Sequence, residues 1–278
     1  MANKPILCPR CKRLIGSNET ICSWCGASRA NPLWKAMAWM RGSLGEDWVV
    51  QSILVVNIVF YIFSLILTKH ASLTFNPISF LAPGQTSLLL LGATGTVPID
   101  EYGRFWSLLS ANYLHSGILH IVFNLIAFRQ VAPLASQEYG PSRMFIIYTI
   151  GGIGGFILSY LAGVPLTIGA SAAICALIGS LLYYGKSRGG TYGNRVYREV
   201  GGWVFSLFLF GFIVPGINNW GHGGGIICGM LLGMLLGYHE KRRETKFHRL
   251  FAITCGLATV SCLAWAGVGA VAFRLSQM

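Results

Sequence analysis

Three short runs of this sequence carry residues whose types and spacing suit chemistry on a carbonyl group. Ser171 follows Gly169 and Ala170 in an uncharged stretch, His222 lies in another, and His120 and Asn124 stand four residues apart in a third. A serine hydroxyl is too weakly acidic to attack a carbonyl unless a neutral imidazole takes its proton. Imidazole and carboxamide N–H groups can then hold the oxyanion that forms. Elsewhere, Cys8-x-x-Cys11 and Cys22-x-x-Cys25 have the spacing with which two knuckles hold one tetrahedral zinc ion. Taken singly, the three runs also have plainer uses. A serine among small residues packs helices, and a histidine in an apolar span serves as a structural hydrogen bonder or a metal ligand. Their joint occurrence is what argues for a site.

The elements that must position them are membrane spans. Of 278 residues, 54% are apolar, 11% are charged and 35 are glycine, with a mean hydropathy of +0.58. An ordinary soluble domain carries about 25% charged residues, so that class is excluded. A net charge of +12 would suggest nucleic acid as the partner of a soluble protein. Here the cations cluster between long uncharged runs, which points to the lipid bilayer and not to nucleic acid.

Charge-free stretches at 48–68, 144–185, 200–239 and 250–273 exceed the length of a spanning helix, roughly 18 residues. The two longest each hold two spans, broken at 163–165 and 215–219, and a polar-spotted span at 115–135 makes seven. The prolines at 77, 83 and 98 mark 71–104 as an outer loop, partly sunk in the interface. Seven alternating spans with the N-terminus inside leave only Lys69, Arg104 and Arg274 of the 21 basic residues outside. The expected location is therefore the inner cell membrane, multi-pass, with a cytoplasmic N-terminus and a site opening toward the outer face. No signal peptide is expected, because cysteines and charges occupy the place of its apolar region.

Even-numbered spans run from outside to inside, so all three polar runs share the outer half of the membrane and can meet. From Ser171 to Gly185 is about 21 Å at 1.5 Å per residue, against a hydrocarbon core of about 30 Å. Ser171 is thus expected below the outer surface, at the bottom of a depression. Glycines 221, 225, 229 and 233 form one smooth ridge down span six. If span four packs on that ridge, Ser171 and His222 come within hydrogen-bond reach.

The chain divides into a zinc-ribbon-like module at 1–30, a linker at 31–47, a six-span core at 48–240, and a seventh span with a short outer tail at 241–278. The linker is either a tether or a short interfacial helix. The fold class is an all-α polytopic membrane protein preceded by a small four-cysteine zinc ribbon. Four cysteine ligands leave no open coordination position, so the Zn2+ is structural. A thirty-residue piece without an apolar core takes most of its folding free energy from the metal. Two disulfides or four idle thiols are the alternative, which a reducing cytosol disfavours. Such ribbons commonly bind partners, here an unidentified cytoplasmic one. The cysteines at 175, 228, 255 and 262 read as packing residues.

On its motifs the sequence resembles the rhomboid family of intramembrane serine proteases, over about residues 48–239. The motifs are His-x-x-x-Asn (His120, Asn124), Gly-x-Ser (Gly169, Ser171) and His-x-x-Gly-x-x-x-Gly (His222, Gly225, Gly229). The resemblance implies a six-span bundle plus one extra C-terminal span and a dyad of Ser171 and His222 without an acidic third member. His222 would act as general base and then general acid. His120, Asn124 and the Ser171 backbone N–H would hold the oxyanion, and no cofactor would serve catalysis. Implied substrates are single-span membrane proteins with a small residue before the cut and a helix-weakening segment after it. They would enter sideways, past span five and the loop at 217–220. Glu138, Gly140 and Arg143 resemble the family's inner turn between spans two and three.

Three positions depart from the family pattern. Ser107 replaces the arginine usual after Trp106, with Arg104 nearby as a substitute; Ala172 stands where glycine is common; and Cys175 stands where an aromatic often stacks on the histidine. Two rival readings remain from the residues. One is a catalytically inactive rhomboid-like protein that binds transmembrane segments and hands them to a partner through the ribbon. The other is a metal or solute transporter using His120, Asn124 and His222 as ligands.

Elemental analysis of the purified chain is expected to find one zinc per molecule in the wild type and none in Cys11→Ser. A metal-free wild type with a folded N-terminal module overturns the ribbon reading.

Overall fold

The structure is a computed structural model that describes residues 5–8, 14–16, 19–23, 28, 48–68, 80–214 and 216–277. The chain forms two compact units, Met1–Ser52 and Ile53–Met278. In the first, β1 (Pro5–Leu7) pairs antiparallel with β2 (Leu14–Gly16), Leu7 opposite Leu14, and an antiparallel bridge joins Ile21 to Ser28. In sequence, one Cys-x-x-Cys run lies between the partners of each pairing. Cys8 and Cys22 are buried; Cys11, Cys25 and the linker at 31–47 lie outside the described residues. Glu19 accepts the Gly16 N–H at 2.8 Å, and this bond, with those to Ser23, holds its carboxyl below the usual carboxylate range.

Helix α1 (Trp48–Ile66) leads into the second unit. There follow α2 (Gln85–Leu90), a π turn (Val97–Glu101), α3 (Ser107–Ser110), a 3-10 turn (Ala111–Tyr113), α4 (Ile118–Tyr139), α5 (Pro141–Leu161), α6 (Ser171–Arg188), α7 (Gly190–Ile213), α8 (Asn219–Leu236) and α9 (Lys246–Leu275). Among the described residues, five helices are long and apolar enough to cross a membrane: α1, α4, α5, α7 and α9. The sequence reading expects seven spans; the two that fall short by that measure are α6 and α8. Each has 18 residues, about 27 Å; α6 carries Lys186 and Arg188 in its last turn, and α8 carries Asn219 and His222 in its first, with glycines along its length. Neighbours cover α6, which therefore needs less apolar surface, whereas α8 still exposes Ile227, Leu231, Met234 and Leu235. α6 packs on α4, α5, α7 and α8 and buries residues along nearly its whole length.

The α6–α8 seam is built from small residues. A Cβ on Gly225 or Gly229 would strike the carbonyl oxygen of Ala172 or Ala176, and one on Gly179 would strike the Ile226 backbone. From α5, Gly155 approaches so closely that its Cβ would lie 2.6 Å from Gly221 O. Without a hydrophobic drive between helices in lipid, such close backbone contact and the dispersion it gains are what hold a bundle together.

Two expectations about connections are corrected. The basic segment after Gly185 reads as an inner link, yet α6 runs on to Arg188 and α7 starts at Gly190. The reversal is made by Gly189 and Gly190, at φ 65° and 64°, a region that glycine enters without steric cost. Gly193, Val196 and Val200 are buried on one face while Arg195 and Arg198 are exposed, so the charges conceal an amphipathic helical start. The outer segment read as a loop is, from residue 80 on, packed structure with Leu91, Ala93, Thr94, Pro98 and Ile99 buried. A β-bridge between Thr94 and Thr167 fastens it to the turn after α5.

The opposite end of the bundle is tied by charge. Arg143 is fully buried and donates to Gly237 O at 2.6 Å, Arg242 O at 2.8 Å and Leu236 O at 3.4 Å, beyond and at the end of α8. Those carbonyls lack helical partners. Glu244 in turn accepts the Ser142 and Arg143 N–H groups at the start of α5, at 2.9 and 3.3 Å.

Gly229→Val is expected to force the seam apart and lower stability by about 2 kcal/mol or more, read as a fall in the thermal unfolding midpoint in lipid-like detergent. An unchanged midpoint would mean that the seam does not depend on close approach.

Candidate active site

Ser171 is the first residue of α6, so the N–H groups of that first turn have no partner inside the helix and present its positive dipole end. Gly169, just before it, stands at φ +127°, and its N–H donates to Ala111 O at 2.9 Å. His222 lies in the first turn of α8. Asn218 caps that helix: its Oδ1 accepts the Gly221 N–H at 2.9 Å, and its backbone oxygen accepts the His222 N–H at 3.1 Å. With Gly225 pressed on Ala172, the two helix starts are close enough that His222 Nε2 and Ser171 Oγ stand 2.9 Å apart. His222 is buried and Ser171 half-buried. Among the described residues, His222 Nδ1 has no hydrogen-bond partner, so the pair stands without a supporting carboxylate.

His120 completes the arrangement from α4. Its Nδ1 accepts the Ser116 backbone N–H at 3.2 Å, with Ser116 Oγ at 2.9 Å. Assigned from that bond, the neutral ring carries its proton on Nε2. This Nε2 lies against Gly169, where a Cβ would come within 2.7 Å of it. Gly169 is thus required both by its φ and by the imidazole, and a donor N–H is brought beside the start of α6. Asn124 is buried and its amide donates to His120 O at 2.8 Å, which holds it within its own helix and leaves one amide N–H. His115 packs edge-on against His120, with ring centroids 5.1 Å apart.

Sequence reasoning missed several members. Asn218 also donates to Ser159 Oγ at 2.6 Å and to Thr167 Oγ1 at 2.9 Å, joining the start of α8 to the turn that precedes Ser171. Its signal is present in the sequence: an asparagine just before a helical run is an N-cap type, whereas the sequence reading treats it as a breaker. Ser116 has no comparable signal, since nothing in its spacing announces a bond to an imidazole. Of the departures, Ser107 is buried and donates to Thr94 Oγ1 at 2.9 Å, while Arg104 reaches Leu89 O at 2.8 Å and anchors the outer segment. Ala172 packs with Ala111 and Phe156; Cys175 is buried against Gly225. Among the described residues no group of three or more His, Cys, Asp or Glu gathers to hold a metal.

Residues 102–239 match the family model of the Rhomboid domain. The chain is similar to RHOMBOID-like protein 4 of Arabidopsis thaliana, 31% identical over 163 residues, which cover 58% of this chain and 41% of the relative. It is similar to the rhomboid protease GluP of Bacillus subtilis (strain 168), 35% identical over 157 residues, 54% of this chain and 30% of the relative. It is also similar to Inactive RHOMBOID-like protein 8 of Arabidopsis thaliana, 30% identical over 178 residues, 62% of this chain and 49% of the relative. The chain spans less than two thirds of the length of these relatives. A named protease and a named inactive protein lie at comparable identity, so likeness alone does not decide between cutting and binding.

Asn218→Ala is expected to lower stability by about 1 to 2 kcal/mol through loss of the cap. Asn218→Asp, which keeps the acceptor for Gly221 but loses the donors to Ser159 and Thr167, should fall between. Thermal unfolding of the three proteins checks this, and equal midpoints would remove Asn218 from the framework of the site.

Proposed function

We propose, from the premise that the chain is a rhomboid-family protein through its domain at residues 102–239 and a multi-pass membrane protein, that it is an intramembrane serine endopeptidase. The observation that carries this reading is the 2.9 Å approach of His222 Nε2 to Ser171 Oγ at the start of α6. His222 Nε2 takes the hydroxyl proton as Ser171 Oγ bonds the scissile carbonyl carbon. The oxyanion is held by the Ser171 N–H, the Nε2–H of His120 and the remaining amide N–H of Asn124. The imidazolium then gives its proton to the departing amine, leaving an ester on Ser171. Water, deprotonated by the same imidazole, hydrolyses that ester and restores the dyad.

The substrates proposed are single-span membrane proteins cut near the outer face. A peptide bond inside a continuous helix is closed to attack, so the segment at the cut must unwind first. Entry is sideways past α7, whose outer half exposes Phe205, Leu209, Phe212 and Ile213 and meets α4 through Phe210 and Phe123, ring centroids 6.3 Å apart. Asn218 fastens the loop at 217–220, so the movement belongs to α7. The N-terminus is proposed to lie in the cytoplasm, with Cys8, Cys11, Cys22 and Cys25 holding structural zinc.

The test is labelling of the purified protein in lipid by a fluorophosphonate. The wild type is expected to label, Ser171→Ala not at all, because no side-chain oxygen remains to bond phosphorus and release fluoride, and His222→Ala slower by at least about a thousandfold. A folded wild type that does not label sinks the protease reading in favour of a protein that binds transmembrane segments without cutting them.

A further inference from the structure

α7 is held along only half of its length. Its buried residues, Gly193, Val196 and Val200, all belong to the first half. The backbone of α7 rests on α6, and the two approach so closely that a Cβ on Gly193 would stand 2.8 Å from Gly185 O. One on Gly185 would stand 2.8 Å from Tyr197 N. Tyr192 adds a bond to the end of α4, its hydroxyl donating to Glu138 Oε1 at 2.7 Å, and the Arg188 guanidinium lies over its ring at 4.9 Å. From Gly201 to Ile213 no residue is buried.

That second half nonetheless lies beside the residues of the site. Phe210 meets Phe123, the neighbour of Asn124 in sequence, with ring centroids 6.3 Å apart. Gly211 faces Asn219, where a Cβ would come within 2.1 Å of the amide oxygen. Asn219 precedes His222 by three residues, so the two are neighbours on the surface of α8. The Asn219 Oδ1 is buried and has no hydrogen-bond partner among the described residues. Moving Gly211 away would open that oxygen to a donor, so the closed position is not favoured by a hydrogen bond at this contact.

Between the two halves stand Gly201 and Gly202. The glycines of the α6–α8 seam admit a neighbouring backbone, but a Cβ on Gly201 or Gly202 would meet nothing within 4 Å. Neither has the positive φ of Gly189 or Gly190. Close packing and turn geometry therefore require neither residue, although each weakens a helix relative to alanine. Glycine pairs are among the few places where helices bend sharply, and small residues commonly serve as hinges. We infer that Gly201 and Gly202 are the hinge about which the second half of α7 swings from α4 and α8 to admit a transmembrane segment, while the first half stays on α6. The consequence for cleavage rests on the protease reading, whereas the motion stands apart from it.

The experiment compares the full chain in lipid with the double variant Gly201→Ala, Gly202→Ala. Alanine favours the straight helix by about fivefold at each position. Hydrogen exchange at the amides of 207–213 is expected to slow about tenfold or more, with 192–196 unchanged. Slowing confined to 203–206, the adjacent turn, would be a local gain in helix stability and overturns the inference. Gly269→Ala, at another helical glycine whose Cβ meets nothing, should leave exchange in α7 unchanged; equal slowing there also overturns it. Cleavage is read on a leucine-rich single-span polypeptide with Ala-Gly near the outer end of its span. It is expected to slow about tenfold or more in the double variant, because only the open fraction admits the segment. Fluorophosphonate labelling should match the wild type, since the small probe reaches Ser171 from water. Equal loss of labelling and cleavage would place the glycines in the framework of the site and overturn the hinge. Exchange decides the hinge whether or not this polypeptide is cut. Should the wild type neither label nor cut while exchange at 207–213 still responds, the protease reading falls and the hinge stands.

Discussion

The approach of α6 to α8 is a contact between two backbones, with glycine on one side and alanine carbonyls on the other, and the geometry at Ser171 and His222 follows from it. A side chain of any size at Gly225 would move the helix starts apart by more than the tolerance of a hydrogen bond. The site is thus assembled at the closest point of a seam, and the small residues that allow it extend well down the bundle, through Gly229 and Gly179. Lipid supplies no hydrophobic drive for helix association, so the seam must draw its stability from dispersion across many short contacts. That need explains why the smooth face continues beyond the two turns the site itself occupies.

A close seam alone would let α8 slide or rotate along α6, and both ends of α8 are fixed against this. At its start, Asn218 satisfies the Gly221 N–H and reaches Ser159 and Thr167 with its amide. At its end, the buried Arg143 guanidinium takes carbonyls of Leu236 and Gly237. The two devices are opposite in character and suited to place: a short neutral amide near the dyad, and a full charge where α5 and α9 begin. A cation at a helix C-terminus also complements the dipole, and Glu244 nearby offsets the desolvation of that cation.

The core of the site is legible in the sequence because its chemistry is local: Ser171, His222 and His120 lie in short motifs, and the glycine spacing on α8 states its packing face outright. What is not legible depends on partners distant in sequence or on types that announce nothing. The bond from Ser116 to His120, the bridge from Thr94 to Thr167 and the reach of Arg104 to Leu89 each join residues whose types alone do not select one another. The connection at Gly189 misleads for a different reason, since charge there suggests a link while Val196 and Val200 carry the helical period beneath it. Hydropathy likewise undercounts α6, because shelter by neighbouring helices replaces the apolar surface that a lipid-facing helix must carry itself, and α8, because its glycines and first-turn polar groups dilute a helix that still exposes Ile227, Leu231 and Leu235.

Energetics bears on the choice between a cutting and a binding protein. His222 is buried in an apolar seam with one ring nitrogen lacking a partner among the described residues, and an unsatisfied buried polar atom costs about 1 to 3 kcal/mol. Gly169 holds a positive φ beside the His120 imidazole, another conformation that packing alone would not select. A protein that only held transmembrane segments could replace His222 by an apolar side chain and gain stability. Local rules broken together at one point, with compensation arranged around them by Asn218 and Ser116, support the proposed protease reading over one of binding alone.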